Sequence, residues 1–99
     1  MPVFYHVTTA ADWEAAKEKG EYIHSSLEAE GFIHCSHEHH VAGVLERYFA
    51  GKTDLVKLVI ESDKLTSKYV FDWSKSTADT FPHVYGPINI DAVIDVVAL

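Results

Sequence analysis

Five short runs rich in aromatic and β-branched residues, none longer than eight positions, limit what this 99-residue chain can fold into. Pro2 to Val7, Phe32 to Ser36, Asp54 to Glu61, Tyr69 to Trp73 and Ala92 to Ala98 read as strands. Only Ala10 to Lys19 and His37 to Ala50 are long and patterned enough for full helices. Strands outnumber helices and hairpin-length connections are common. The expectation is therefore one α+β domain over residues 1–99, with a curved, mostly antiparallel, split β-sheet and two main helices. A parallel dinucleotide fold would need a glycine-rich strand-to-helix turn, and the chain has none.

Local signals place the pieces. Alternation puts Phe4 and His6 on one face of the first strand, with Tyr5 and Val7 on the other. Thr8 and Thr9 offer N-caps, Asp12 completes a weak capping box, and Gly20 ends a helix whose buried face is Trp13 and Ala16. Ser26 to Gly31 reads as one helical turn closed by glycine. On the second strand Phe32, His34 and Ser36 share a face opposite Ile33 and Cys35, and Ser36 is placed to cap the second helix. That helix carries Val41, Val44, Leu45, Tyr48 and Phe49 at core spacing. Ser74 to Thr80 is polar and reads as a mobile loop. Phe81 to Pro87, with two prolines and a Gly86 free to take positive φ, reads as a rigid loop presenting His83 and Tyr85.

Charge narrows the partners. Eight Lys and Arg against fifteen Asp and Glu give −7 with histidine neutral, and seven imidazolium charges would cancel it. One arginine, Arg47, and dispersed lysines argue against an extended nucleic-acid surface. The single Cys35 cannot form an internal disulfide, which favours a reducing compartment. No signal-like start and no apolar run of membrane-spanning length is visible, so a soluble cytoplasmic protein with no membrane contact is expected. Nothing in the sequence fixes its oligomeric state.

The histidines carry most of the chemical information. His6, His34 and His83 sit in aromatic or apolar segments, whereas His24, His37, His39 and His40 lie among charged and small polar residues and read as a solvated region. An imidazole in an ordered apolar segment needs partners for two nitrogens, so the first three point to one polar pocket; the bland reading is that each is a satisfied core or rim histidine. The run His34-Cys35-Ser36-His37-Glu38-His39-His40 has ligand chemistry, but His34 and Cys35 point apart on a strand. On an ideal helix His37 and His40 share the apolar side while His39 points away, so no metal site is expected. Cys35 shares the Ile33 face and reads as a buried structural thiol. Glu28, Glu30 and Glu38 border the His34 strand as possible imidazole partners.

Several stretches together resemble a known family. Tyr5-His6-Val7-Thr8 with Trp13, Ser26-Leu27, Glu30 to Ser36, Gly51, Asp54-Leu55-Val56 and Phe81 to Pro87 are similar to the small bacterial proteins of the domain of unknown function 952 family. That pattern in turn resembles the ADP-ribosyltransferase superfamily, including RNA 2′-phosphotransferases. The resemblance implies an ADP-ribosyltransferase-like fold, NAD or a ribose-phosphate as small-molecule nucleotide ligand, and transferase activity. It implies that His6 with Thr8 contacts a ribose, that His34 with Ser36 forms a second motif, and that His83 acts in a third with Tyr85 and Gly86. Trp13 or Tyr85 would supply an aromatic face, and the start of helix 37–50 a pyrophosphate site. The third motif departs from the glutamate of many such transferases, Asp91 being the nearest acid. That departure keeps a non-catalytic small-ligand or protein-partner module on the same fold as the alternative.

Overall fold

The computed structural model describes residues 2–99. The elements run β1 (Val3–Thr9), α1 (Ala10–Lys19), β2 (Glu21–Tyr22), α2 (Ser25–Glu30), β3 (Ile33–His34) and a 3-10 turn (Glu38–His40). They continue through α3 (Val41–Tyr48), β4 (Leu55–Glu61), β5 (Tyr69–Ser74), β6 (Asp79–Val84), β7 (Ile88–Asn89) and β8 (Val93–Ala98). In place of one curved sheet there are three antiparallel ones, ordered β1-β4-β8, β2-β7 and β3-β6-β5.

A proline decides where the sheets separate. Pro82 lies in β6, the middle strand of its sheet, a place where proline is rare because it has no N–H to donate. The Cys35 N–H donates to the Pro82 carbonyl at 2.9 Å, and Pro82 has no hydrogen to return. The expected strand Phe32 to Ser36 therefore pairs only at Ile33 and His34. One residue past Cys35 the chain joins β1, with Tyr5 N–H to Ser36 O at 2.8 Å and Ser36 N–H to Tyr5 O at 2.7 Å. This isolated bridge helps to fasten the β3 sheet to the β1 sheet.

Side chains from all three sheets and from α1 meet in one core that includes Phe4, Trp13, Ala16, Tyr22, Ile33, Cys35, Leu58, Ile60, Val84 and Ile88. α1 forms where its signals put it: the Thr9 side chain accepts from the Asp12 N–H, and Gly20 ends the helix at φ 96° with its N–H on Ala16 O. Thr8 is not a cap, because the ladder with β4 runs on to Thr9 and Leu55 and keeps Thr8 buried inside β1.

Three expectations need correcting. Phe81 to Pro87 is not a loop over its first half, since Asp79–Val84 pairs along its whole length with β5. Ser74 to Thr80 is the end of that hairpin, with Ser74 opposite Asp79 and only four residues in the turn between them. The second helix is shorter than His37 to Ala50: it opens as the 3-10 turn, and of its apolar set only Val41 is buried while Tyr48 is 67% exposed. Val44, Tyr48 and Phe49 line a groove instead of the core, which is why a core-like spacing appears on a helix that packs lightly. Among the described residues no helix is long and apolar enough to cross a membrane.

Candidate functional site

Strand alternation in the β3-β6-β5 sheet builds one polar wall. The faces that carry Ile33 and Val84 are in the core, so His34, directly opposite His83, and next along β6 Phe81 and Asp79 point the other way. On β5 the same face carries Asp72, opposite Phe81, and Ser74, opposite Asp79. α3 stands across from this wall, and the groove between them has a volume of about 1050 Å³.

Asp72 organises one cluster. Its Oδ2 accepts from His83 Nδ1–H at 2.7 Å and from the Tyr85 hydroxyl at 2.5 Å. A carboxylate can only accept, so the shared proton of a neutral His83 sits on Nδ1 and its Nε2 lone pair has no partner among the described residues. The two hydrogen bonds, that from Tyr85 foremost, hold the Asp72 carboxyl below its ordinary pKa, and the same bond raises that of Tyr85. Phe32 stacks on the His83 ring at 4.1 Å and 17°, and the His34 ring stands edge-on to His83 at 5.0 Å. His34 Nε2 pairs with Glu30 Oε2 at 2.8 Å, on the last turn of α2, which selects Glu30 from the three carboxylates flanking this strand.

His6 reaches this wall from behind. It is 5% exposed, donates from Nδ1 to the His34 carbonyl at 2.6 Å, and takes the Tyr22 hydroxyl on Nε2 at 2.8 Å. Thr8 Oγ1 lies 3.0 Å from the same Tyr22 oxygen and extends the chain. Burial pushes the His6 pKa down to about 4, so the ring is neutral and its tautomer fixed. His6 thus locks the His34 backbone in place, with both nitrogens committed inside the protein.

The remaining expected residues are dispersed. Trp13 belongs to the core at 7% exposure and offers no open ring face to the groove. Ser36 lines the groove but is 7% exposed, its backbone held by Tyr5. Gly86 does not take positive φ; a Cβ there would fall 2.5 Å from Ser67 Oγ, so this glycine serves close packing. Cys35 is buried as expected, and burial pushes its thiol far up. Asp91 accepts from Asn89 away from the groove, and the acid beside His83 and Tyr85 is Asp72. The sequence hid Asp72 because Pro82 disguised the hairpin that brings β5 to β6.

Of the other four histidines His39 is exposed as expected, yet His24, His39 and His40 all have side-chain or capping partners. His24 caps α2 by accepting the Ser26 N–H at 3.1 Å, and its ring is edge-on to His6. His39 and His40 both direct Nε2 at Asp79 Oδ2, at 2.8 and 2.9 Å, and His40 stacks on Phe81 at 4.1 Å. These bonds hold the Asp79 carboxyl well below the usual carboxylate range. The ideal-helix argument that parted His39 from His40 fails because Glu38–His40 is a 3-10 turn and Asp79 arrives from the far end of β6.

Residues 7–96 match the family described as a protein of unknown function, DUF952. The chain belongs to the DUF952 family. This DUF952 chain is similar in structure to the protein CC0527 of Caulobacter crescentus. Against its crystal structure the identity is 28% and the TM-score 0.87, covering 96% of this chain and 83% of that one. Against its solution NMR structure they are 29% and 0.83, covering 100% and 85%. No functionally curated protein matches the DUF952 chain.

Proposed function

We propose that this DUF952 protein binds a nucleotide, NAD or another ribose-phosphate, in the groove between α3 and the β3-β6-β5 sheet and acts on it as a transferase of the ADP-ribosyltransferase type. The observation that carries the reading is the Asp72–His83–Tyr85 cluster, which turns an unpartnered His83 Nε2 onto a groove wall. An oriented imidazole acceptor suits a ribose hydroxyl, and the Asp72 carboxylate behind it favours the positive charge that builds on a ribose as its glycosidic bond breaks. Phe81, which lines the groove beside His40, gives an aromatic surface there, a role Trp13 is too buried to play, while Phe32 and Tyr85 pack around His83 and hold its ring. His6 and Thr8 act one layer back, as positioning residues for His34.

The groove volume is at the upper end of small-molecule sites and accommodates a dinucleotide. Arg47 and Lys52 line it without an ion pair to any carboxylate among the described residues, and in an acidic protein they are the fitting place for phosphates. The start of the second helix, the candidate pyrophosphate site, is less suitable, because Glu38 stands in the 3-10 turn there. A second reading, a partner-binding module without catalysis, draws on the exposed Tyr48 and Trp73 at 67% and 64% on the groove walls.

Titration calorimetry with NAD, ADP-ribose and nicotinamide tests the reading, alongside an assay of nicotinamide release. Binding that weakens in His83→Ala and Arg47→Ala is expected, and an Asp72→Asn chain should bind while losing about a hundredfold in turnover. No binding at millimolar NAD would sink the nucleotide reading, and binding without turnover would select the module.

A further inference from the structure

We propose that His39, His40 and Asp79 form a binding site for a divalent transition-metal ion of the zinc type. The two Nε2 atoms and Asp79 Oδ2 lie within 4.8 Å of one another, and among the described residues this is the one such grouping of three ligand side chains. Two imidazoles and a carboxylate are the donor set such ions take, at about 2.0–2.1 Å per ligand, which sets ligand atoms roughly 3.3 Å apart in a tetrahedral site. The observed 2.8 and 2.9 Å separations need to open by only about half an ångström to admit an ion.

The surroundings prepare this geometry. His40 is held by its stack on Phe81, and Asp79 Oδ1 accepts the Thr80 N–H at 2.7 Å, which leaves Oδ2 for the ion. Side-chain exposures of 65% for His39, 11% for His40 and 40% for Asp79 give one buried anchor and an open way in. The chain's formal charge of −7 favours cation capture. Without the ion both rings direct Nε2–H at the carboxylate. Loading transfers each proton to Nδ1 of the same ring, so neutral rings release none. Among the described residues His39 Nδ1 has no partner to give up, and His40 Nδ1 gives up the His37 N–H, a long bond of 3.3 Å. Three protein ligands leave a coordination position for water or a ligand oxygen, and all three residues line the same groove as His34 and His83.

The test is zinc titration of tag-free, chelator-stripped protein against a chromogenic competitor, together with long-range proton–nitrogen spectra of the imidazoles. One ion per chain is expected, with affinity lowered about tenfold or more in His39→Ala and Asp79→Asn. It should be unchanged in His24→Asn, whose amide keeps the α2 cap. The nitrogen spectra should show zinc on Nε2 of His39 and His40 with the proton on Nδ1. His39 is exposed, so its variant folds and loss of binding there is interpretable. The proposal is overturned by no stoichiometric binding below about 100 μM zinc. Binding undiminished in Asp79→Asn, or zinc shifts confined to His34 and His83, would overturn it equally. None of these readouts involves NAD, so the nucleotide reading stands or falls separately.

Discussion

His6 shows how far one side chain's surroundings change its chemistry. In the unfolded chain its pKa is about 6.5, and in the fold burial brings it to about 4. Folding therefore excludes a proton, so stability is level above pH 6.5 and falls as the pH drops toward 4, by about 3 kcal/mol in all. Urea unfolding between pH 7.5 and 4.5 measures this, and His6→Gln should flatten that part of the profile; an unchanged slope in the variant would place the titration elsewhere. The Asp72 and Asp79 carboxyls, lowered by their partners, add a loss of the same sign below about pH 4. Tyr22→Phe removes the hydroxyl on which the buried His6 Nε2 depends, and should cost about 1–3 kcal/mol at neutral pH in the same assay. That His6 differs from a surface histidine is legible in its apolar flanks; that both its nitrogens are engaged is not, because Tyr22 and the His34 carbonyl come from other elements.

Elements whose ends are marked by local chemistry were legible. α1 has its cap, its buried pair and its terminal glycine within eleven consecutive residues of Thr9, and removing the cap with Thr9→Ala should lower stability by about 1 kcal/mol. β6 was not legible. Asp79, Phe81 and His83 alternate as a strand requires, but Pro82 among them argues for a loop, and only the missing reciprocal bond at Cys35 makes the proline tolerable. The segment after β6 is set by packing. In Gly86→Ala the new Cβ meets Ser67 Oγ, whose hydrogen bond to Pro87 O at 2.6 Å resists movement, and thermal unfolding should show a loss of about 1–3 kcal/mol. Placing the same substitution in a Ser67→Gly background should recover most of the difference between Gly and Ala at position 86. Failure to do so would assign the strain to the backbone.

Across the whole molecule, three small sheets depend on one core and on the bridge between Tyr5 and Ser36. None of the sheets has more than three strands, so unfolding one strips the apolar face of the others. Loss of Trp13 fluorescence and of far-ultraviolet ellipticity should therefore coincide in urea, measured in Trp73→Phe so that the exposed indole does not contribute. Separate midpoints would mean that the sheets melt apart. The charge balance also changes at this scale. Seven histidines against −7 suggests neutrality on mild acidification, yet His6 stays uncharged down to about 4, and burial lowers His24 and His37 as well. The folded protein therefore retains negative charge to lower pH than its composition implies.

By itself the sequence determined what neighbouring residues can settle: antiparallel α+β character, the Thr9 and Gly20 ends of α1, and the buried thiol. Family membership was legible too, carried by contiguous stretches over most of the chain. The tertiary structure decided which carboxylate each imidazole meets. Asp72 joins His83 across 11 residues, and Asp79 joins His40 and His39 across 39 and 40. Such pairings follow from strand register and from where the chain changes sheets, and a hydrogen bond or a shared ion needs positions right to a few tenths of an ångström. Local propensity carries no information at that distance along the chain.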